Sequence, residues 1–254
     1  MRTFCKHAGG TIHYEVLGDG PPLFLHHGMT QSLERWHLDG YVDALKDRFQ
    51  LILLDARGHG QSEKFYEPSA YGLDNYVADV LAILDELKLQ QVRYWGFSLG
   101  AGVGFALANR APERVCAFIL GGGHPYARTL SAEQRPDGSD ADAFARIFMQ
   151  RLGVDLSSIP ATHLERLMNN DFRALAAAQQ DRPSQEGALA KMSMPCLIYA
   201  GESDPLYAEA EQSASAINHA SFISLAGLDH TATFRESGRI LPRALAFLET
   251  TVNG

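Results

Sequence analysis

The spacing of apolar residues changes repeatedly along the chain, between short continuous runs and longer stretches with helical periodicity. The run at residues 50–55 (QLILLD) has no alternation of apolar and polar positions, which is typical of a strand buried on both faces of a parallel sheet. Residues 75–87 instead place their apolar side chains at helical spacing. Strand and helix patterns in alternation predict an α/β fold with a mostly parallel, doubly wound sheet.

The same two patterns locate the remaining elements. Further strands are predicted at residues 23–26, 92–97, 115–120, 196–200 and 221–225, and further helices at residues 38–49, 101–111, 208–217 and 239–250. An N-terminal hairpin is predicted from residues 3–7 and 11–17, which flank a Gly9-Gly10 turn. We expect this antiparallel hairpin at one edge of the sheet.

Residues 124–191 interrupt the alternation, because they contain helical patterns and no convincing strand. Two of their segments, residues 144–148 and 163–168, each have the spacing of an apolar helical stripe. A structureless stretch of this length inside a compact domain would be unusual. We therefore predict a small helical cap at residues 124–191, inserted into an α/β core formed by residues 1–123 and 192–254.

The composition is that of a globular protein. Of the 254 residues, 46% are hydrophobic and 20% are charged, which differs from the composition of disordered chains. The formal net charge is −8 and there is no basic run, so neither nucleic acid nor an anionic membrane is an expected partner. Residues 1–10 contain no apolar targeting segment, and no later apolar run reaches membrane-spanning length. A cytoplasmic location is therefore expected.

The spacing of cysteine and histidine residues indicates no metal site. Cys5, Cys116 and Cys196 have no CxxC spacing, so buried reduced thiols are expected rather than a disulfide framework. The histidines are scattered, without an H-x-x-x-H pair on a helix. We expect neither a metal nor a cofactor.

The strongest chemical signal is the segment GFSLG at residues 96–100, which matches the pattern G-x-S-x-G. A predicted strand leads into it and a predicted helix leads out. A sharp strand-to-helix turn of this kind needs small flanking residues, and it exposes the hydroxyl of its serine, Ser98. A plain glycine-rich turn is the alternative explanation. A dinucleotide-binding loop is excluded, because the later glycines do not fit G-x-G-x-x-G.

Four more segments carry a family resemblance. They are residues 25–29 (LHHGM), 55–62 (DARGHGQS), 201–204 (GESD) and 228–230 (LDH). Together with GFSLG, they make the chain resemble the α/β-hydrolase superfamily over nearly its whole length. This resemblance implies an α/β-hydrolase fold and an enzyme that uses a serine, a histidine and an acid.

The resemblance also implies the role of each residue. Ser98 is the expected nucleophile, His230 the base and Asp204 the acid that orients the base. The backbone N–H groups of Met29 and Leu99 are the expected oxyanion hole.

Physical chemistry supports the same three side chains. Acyl transfer requires a nucleophile, a base and a group that fixes the tautomer of the base. Ser98, Asp204 and His230 each follow a predicted strand, and an open α/β sheet forms its crevice at those strand ends. Glu202 is the rival to Asp204, and the resemblance favours Asp204. Asp229 is a departure, since family members often have glycine directly before the histidine.

The expected reaction is hydrolysis of a carboxylic ester through an acyl-enzyme on Ser98. The serine argues against dehalogenases and epoxide hydrolases of this fold, which use aspartate at that position. Lactonases, perhydrolases and C–C bond hydrolases use the same three residues and stay open, although Thr231 after the histidine disfavours the last of these. A ligand receptor with slow turnover is a different class of function that also stays open.

The expected substrate is a small or medium apolar ester or lactone, because pockets under such caps are largely apolar. Candidate lining residues are Met29, Trp36, Phe97, Tyr126 and Met168. For each of them, core packing is the alternative explanation. The sequence leaves the oligomeric state open.

Overall fold

A computed structural model describes residues 2–7 and 10–251, and its centre is an eight-stranded sheet. Met1, Ala8, Gly9 and residues 252–254 lie outside the described residues, and with Gly9 so does half of the predicted hairpin turn. The strands are β1 (Arg2–His7), β2 (Gly10–Leu17), β3 (Pro22–His26), β4 (Gln50–Leu54), β5 (Val92–Phe97), β6 (Val115–Gly121), β7 (Cys196–Gly201) and β8 (Ala220–Leu225).

Ten α-helices cover this sheet within the described part of the chain. They are α1 (Glu34–Leu38), α2 (Tyr41–Leu45), α3 (Leu73–Glu86), α4 (Leu99–Arg110), α5 (Ala141–Arg151), α6 (Ala161–Met168), α7 (Phe172–Ala178), α8 (Tyr207–Ser215), α9 (His230–Arg235) and α10 (Ser237–Thr250). Five short 3-10 helices lie between them: Pro68–Tyr71, Pro112–Arg114, Ala132–Gln134, Leu156–Ser158 and Glu186–Ala188.

The order of the strands confirms the predicted fold class. Across the sheet the order is β1-β2-β4-β3-β5-β6-β7-β8. β1 and β2 pair antiparallel at one edge, β2 pairs antiparallel with β4, and every other pair is parallel. The central strands β3 and β5 are almost entirely buried, as their unbroken apolar runs predict. The crevice at their carboxyl ends is where a site is expected.

The predicted helix at residues 38–49 is too long, because only α2 lies within this range, α1 ends at Leu38 and residues 46–49 are not helical. Gly40 lies between them with a φ of +80°, a left-handed conformation that glycine adopts without steric cost and that ends α1. The apolar spacing continues across this break because Trp36, Tyr41 and Leu45 all pack in the same buried cluster. The spacing of apolar residues therefore predicts which side chains are buried, but it does not predict the interruption at Gly40.

The segment between β6 and β7 is helical, with α5, α6 and α7 as its main elements. One isolated antiparallel bridge, between Arg128 and Arg182, joins the two ends of this segment. Phe144, Phe148 and Phe172 are buried against the apolar cluster on one face of the sheet. The division of the chain into a core and a cap at residues 124–191 stays a prediction.

Candidate active site

Ser98 lies at the sharp turn between β5 and α4, in a backbone conformation that few residues other than glycine adopt. Its φ is +53° and its ψ is −103°. The flanking glycines leave room for this turn. A Cβ on Gly96 would come within 2.3 Å of the Gly100 carbonyl oxygen, and one on Gly100 within 2.2 Å of the His26 carbonyl oxygen. Strain held in place by close backbone packing is common at functional positions.

The structure brings Ser98, His230 and Asp204 together in one chain of hydrogen bonds. His230 Nε2 lies 2.9 Å from Ser98 Oγ, and His230 Nδ1 lies 2.7 Å from Asp204 Oδ2. Both His230 and Asp204 are buried. Because an ionised carboxylate only accepts, Nδ1–H donates to Asp204 and Nε2 is left to accept from the serine hydroxyl. The three side chains follow β5, β7 and β8, which are separate in sequence and lie within the four consecutive strands β5-β6-β7-β8 of the sheet.

Asp204 stays ionised in spite of its burial. Burial by itself would raise the pKa of this carboxyl, but the charge and hydrogen bond of His230 and the backbone N–H of Leu206 outweigh it and lower the pKa. The Leu206 N–H lies 2.9 Å from Asp204 Oδ1. Glu202, the rival acid, lies at the surface and accepts a hydrogen bond from Ser224.

Asp229 has a structural explanation. It is the N-cap of α9, and its Oδ1 accepts hydrogen bonds from the Ala232 N–H at 2.7 Å and from the Thr231 hydroxyl at 3.0 Å. A capping carboxylate fixes the start of a helix. His230 is the first residue of α9, so this cap positions it. The sequence analysis missed α9, although an aspartate before the helix was its signal.

The loop after β3 is held from both sides. His27 Nε2 accepts a hydrogen bond from the Ala56 N–H at 3.0 Å, so its Nδ1 carries the proton and donates to the Gly28 carbonyl at 2.7 Å. The Gly28 N–H donates to Gln31 Oε1 at 2.9 Å. Burial lowers the pKa of His27 to about 4, which keeps the imidazole neutral near pH 7. This role of Gln31 is not among the predictions from sequence. Its position three residues after Gly28 was the one indication that the sequence offered.

Two backbone N–H groups next to Ser98 have no hydrogen-bond acceptor in the described structure. Leu99 is the first residue of α4, and the first N–H groups of a helix have no acceptor within it. Met29 follows Gly28 in the loop, and its N–H makes no hydrogen bond to any acceptor among residues 2–7 and 10–251. Met29 and Leu99 are both buried beside Ser98.

A cavity of about 300 Å³ lies against Ser98 and His230. Its apolar wall comes from the segment between β6 and β7, namely Phe148, Met149, Leu152, Ile159 and Leu167. Charged residues also line this cavity: Arg35 is paired with Asp39 at 2.6 Å, whereas Arg235 has no ion pair among the described residues. The cavity is therefore mixed rather than purely apolar.

A smaller cavity of about 50 Å³ adjoins the first and also contacts Ser98. The two share four lining residues: Met29, Ser98, Phe148 and Leu152. Three arginines line the smaller cavity, Arg128, Arg151 and Arg182. Sequence analysis missed them, because they lie 23 to 54 positions apart without any periodicity, and only the folded chain places them together.

The five predicted lining residues divide into two groups. Met29 and Phe97 line the larger cavity, and Met29 and Tyr126 line the smaller one. Phe97 also packs against the His230 ring at 5.1 Å between centroids. Trp36 and Met168 line neither cavity. Trp36 is fully buried among other aromatic rings, and Met168 packs against the main apolar cluster, so both are better explained by core packing.

Comparison with known proteins decides the family. A family model described as alpha/beta hydrolase fold matches residues 21–157, more than half of the chain. The chain belongs to this family. The match confirms the resemblance that the sequence motifs carry and, with the sheet order, places the protein among the α/β hydrolases.

Individual α/β hydrolases are similar to this chain at moderate identity. A bifunctional esterase/perhydrolase from Acinetobacter calcoaceticus is 27% identical over 95% of this chain and 97% of its own length. A Bacillus subtilis protein, provisionally named a 2-succinyl-6-hydroxy-2,4-cyclohexadiene-1-carboxylate synthase, is 27% identical over 64% of this chain and 61% of its own length. The solved structure of a thermophilic esterase from Thermogutta terrifontis superposes with a TM-score of 0.84 at 21% identity and 99% coverage of both chains, a likeness in fold.

Membrane-spanning helices and metal-binding clusters are both absent from the described residues. No helix among the described residues is long and apolar enough to cross a membrane. Within that same part of the chain, no three histidine, cysteine, aspartate or glutamate side chains cluster so that they could hold a metal ion.

Proposed function

We propose that this α/β hydrolase is a serine esterase that cleaves carboxylic esters through an acyl-enzyme on Ser98. The observation that carries this proposal is the continuous hydrogen-bond chain from Ser98 Oγ through the His230 ring to Asp204 Oδ2, at 2.9 and 2.7 Å. A nucleophile in reach of a base, with the base oriented by a third group, is the arrangement that nucleophilic catalysis requires.

In the first half of the proposed reaction, Ser98 Oγ forms a bond to the ester carbonyl carbon while His230 Nε2 accepts the hydroxyl proton. The carbonyl oxygen becomes an oxyanion, for which we assign the N–H groups of Met29 and Leu99 as donors. Each such donor is worth roughly 3 kcal/mol of transition-state stabilisation. The bond to the leaving alcohol oxygen then breaks, and His230 donates its proton to that oxygen.

In the second half, a water molecule takes the place of the alcohol. His230 accepts a proton from the water as its oxygen bonds to the acyl carbon, and the bond to Ser98 Oγ breaks as the serine regains a proton. Asp204 remains ionised throughout and stabilises the imidazolium of His230. Its lowered pKa supports this role, because a carboxylate that protonates readily could not hold the histidine tautomer.

The larger cavity supports a substrate of modest size. Its volume of about 300 Å³ lies at the lower end of the range for small-molecule sites, roughly 300–1,000 Å³. The esterase activity in the name of the Acinetobacter calcoaceticus relative is consistent with this choice, and its perhydrolase activity is the alternative. The two differ in whether water or hydrogen peroxide attacks the acyl-enzyme, so a peroxide titration separates them.

The test is the hydrolysis of p-nitrophenyl butyrate by the wild-type protein and by Ser98→Ala. We expect kcat to fall by roughly 10⁴- to 10⁶-fold in the variant. The three residues act as one catalytic unit, so removing the serine also makes the histidine and the aspartate ineffective. Ser215→Ala is the matched control. Ser215 lies exposed on α8 and bonds only to the Glu211 carbonyl, so its hydroxyl should be dispensable.

A second readout does not depend on the choice of ester. Phenylmethylsulfonyl fluoride should form a sulfonyl bond to Ser98 Oγ with loss of fluoride, detected as one added mass on the peptide that contains Ser98. Equal ester turnover by wild type and Ser98→Ala would refute the assignment of the nucleophile. A wild-type protein inert to both ester and sulfonyl fluoride would refute the proposed function.

A further inference from the structure

Three arginines converge on the smaller cavity beside Ser98. Arg128 and Arg182 are the two residues of the isolated antiparallel bridge, which lies in the segment that connects β6 to β7. Arg151 is the last residue of α5. All three are half-buried and line the same space as Leu99 and Ser98. The cluster of Arg128, Arg151 and Arg182 is called the arginine cluster below.

No carboxylate forms a salt bridge with the arginine cluster in the described structure, and the charge of Asp181 offsets the lowered pKa of Arg128 only in part. Within the described residues, none of its members forms an ion pair, whereas Arg135 and Arg166 of the same segment pair with Asp181 and Glu34. The side chains of Arg128 and Arg182 make no hydrogen bond in that part of the chain. Nε of Arg128 and Nε of Arg151 are buried without any partner. Arg151 alone is partly satisfied, through Gln134 and Gln179.

This arrangement is unfavourable for a protein without a ligand. Burial and the mutual repulsion of the cluster lower the pKa of Arg128 to about 9 and that of Arg151 to about 10, and burial also lowers the pKa of Arg182. A guanidinium stays protonated near pH 7 in spite of such shifts. A cation withdrawn from water is normally paired, because its desolvation is costly. An anion that enters the cavity would supply the missing partner.

The backbone around Ser98 accommodates the cluster. Gly102 lies in the first turn of α4, and a Cβ on it would come within 2.6 Å of Arg182 Nη1. The Arg182 guanidinium therefore lies directly against the helix that follows the nucleophile. An anion bound to Arg182 would consequently be a near neighbour of the reacting carbonyl.

We propose that the substrate carries a carboxylate of its own, and that the arginine cluster binds this group while the ester lies against Ser98. This inference rests on the proposed esterase function and names the substrate class. The size of the smaller cavity, about 50 Å³, accommodates about four water-sized groups at roughly 10–15 Å³ each, which fits a carboxylate and one methylene. Guanidinium groups bind carboxylates through paired N–H donors. This proposed substrate differs from the small or medium apolar ester that the sequence led us to expect.

The first experiment compares matched esters that differ only in the end of the acyl chain. Mono-p-nitrophenyl esters of succinate, glutarate and adipate carry a carboxylate where those of butyrate, valerate and hexanoate carry a methyl group. We expect kcat/KM for at least one diacid ester to exceed that of its matched monoacid ester by roughly 10- to 100-fold, the range for hydrogen bonds to charged groups. Spontaneous hydrolysis is subtracted with Ser98→Ala.

Variants of the cluster locate the effect. In Arg182→Gln and Arg128→Gln the diacid-to-monoacid ratio of kcat/KM should fall towards one. Arg135→Gln is the matched control, because Arg135 belongs to the same segment but is paired with Asp181 outside the cavity lining. Its ratio should equal that of the wild type. An unchanged ratio in the cluster variants would contradict the proposal.

The second experiment separates this proposal from the esterase proposal. Thermal unfolding of Ser98→Ala is followed with succinate, glutarate and adipate, and with their neutral diamides succinamide, glutaramide and adipamide. We expect a rise in Tm with at least one dicarboxylate, absent with the diamides and absent in the double variants Ser98→Ala/Arg182→Gln and Ser98→Ala/Arg128→Gln. Stabilisation by a dicarboxylate without any ester turnover by the wild type would refute the esterase proposal and support the anion site. Turnover of monoacid esters without diacid preference or stabilisation would overturn the anion site alone.

Discussion

The chain contains two buried histidine–aspartate pairs of nearly equal geometry, and the contrast between them shows what distinguishes the candidate site. His13 Nδ1 lies 2.8 Å from Asp55 Oδ2, and His230 Nδ1 lies 2.7 Å from Asp204 Oδ2. His13 lies within β2 and Asp55 directly follows β4, whereas Asp204 lies in the loop after β7 and His230 begins α9. Their hydrogen-bond lengths alone would not tell one from the other.

The difference lies on the far side of each imidazole. His13 Nε2 is buried and has no hydrogen-bond partner in the described structure, while His230 Nε2 reaches Ser98 Oγ and borders the larger cavity. The carboxylate of Asp55 also accepts hydrogen bonds from the backbone N–H groups of Leu33 and Gln61, both at 2.8 Å. The first pair ties loops together, and the second faces a space that a substrate can enter.

The same contrast holds for two arginines, the buried Arg57 and the half-buried Arg182. Arg57, in the loop at residues 55–62, donates two hydrogen bonds to Asp79 at 2.7 Å and a third to the Ala70 carbonyl at 2.6 Å. Arg182 makes no side-chain hydrogen bond within the described residues. A polar group with a structural role finds its partners inside the protein. Polar groups that end at a cavity without partners mark the place where a ligand is expected.

The largest expected effect tests the contrast between the two histidines, His230 and His13. His230→Ala should lower kcat for p-nitrophenyl butyrate by roughly 10⁴- to 10⁶-fold with little change in fold, because the proposed base is lost. His13→Ala should change kcat only a few-fold and instead lower the free energy of unfolding, because Asp55 loses its buried partner. Steady-state kinetics and urea denaturation of both variants are the measurement. Comparable losses of kcat in the two variants would contradict the distinction.

The arginines give the second-largest effect. Arg57→Met should lower the free energy of unfolding by about 3–5 kcal/mol, because it breaks a buried ion pair and leaves Asp79 without its two guanidinium bonds. Arg182→Met should leave the free energy of unfolding unchanged or raise it, because it removes a desolvated cation that has no partner. Urea titration without added ligand checks both. A similar loss in Arg182→Met would show that this arginine supports the fold.

The smallest effect concerns pH and the buried histidine of the loop at residues 55–62. Burial lowers the pKa of His59 to about 3, far below its usual value near 6.5. As pH falls below 6.5 the unfolded chain binds a proton at His59 that the folded chain does not, so the free energy of unfolding falls with pH. Between pH 7 and 5 this amounts to about 2 kcal/mol for one histidine.

His59→Asn should remove that share of the pH dependence. His219→Asn is the control, because His219 is exposed at the end preceding β8. Urea titrations at pH 7 and pH 5 measure the difference for wild type and both variants. Equal pH dependence in wild type and His59→Asn would show that His59 protonates in the folded state.

Much of this molecule follows from local sequence. The unbroken apolar runs determined the strands, because a strand covered on both faces has no polar position to offer. GFSLG determined the turn at Ser98, because Gly96 and Gly100 contact backbone atoms at distances that exclude any side chain. The sequence also predicted the set of Ser98, Asp204 and His230, because its motifs resemble those of the α/β hydrolases and because each residue lies in the segment that follows a strand.

Other features depended on the tertiary structure. Trp36 has the character of a pocket residue in sequence but is enclosed by Tyr41, Trp95 and Phe234, and no local pattern distinguishes a ring in the core from one at a cavity. The arginine cluster likewise comes from both strands of a bridge and from the end of a helix. Local sequence determines which elements form because neighbouring residues set backbone preferences and buried faces. Which side chains meet, and which charges stay unpaired, is decided by how distant segments pack.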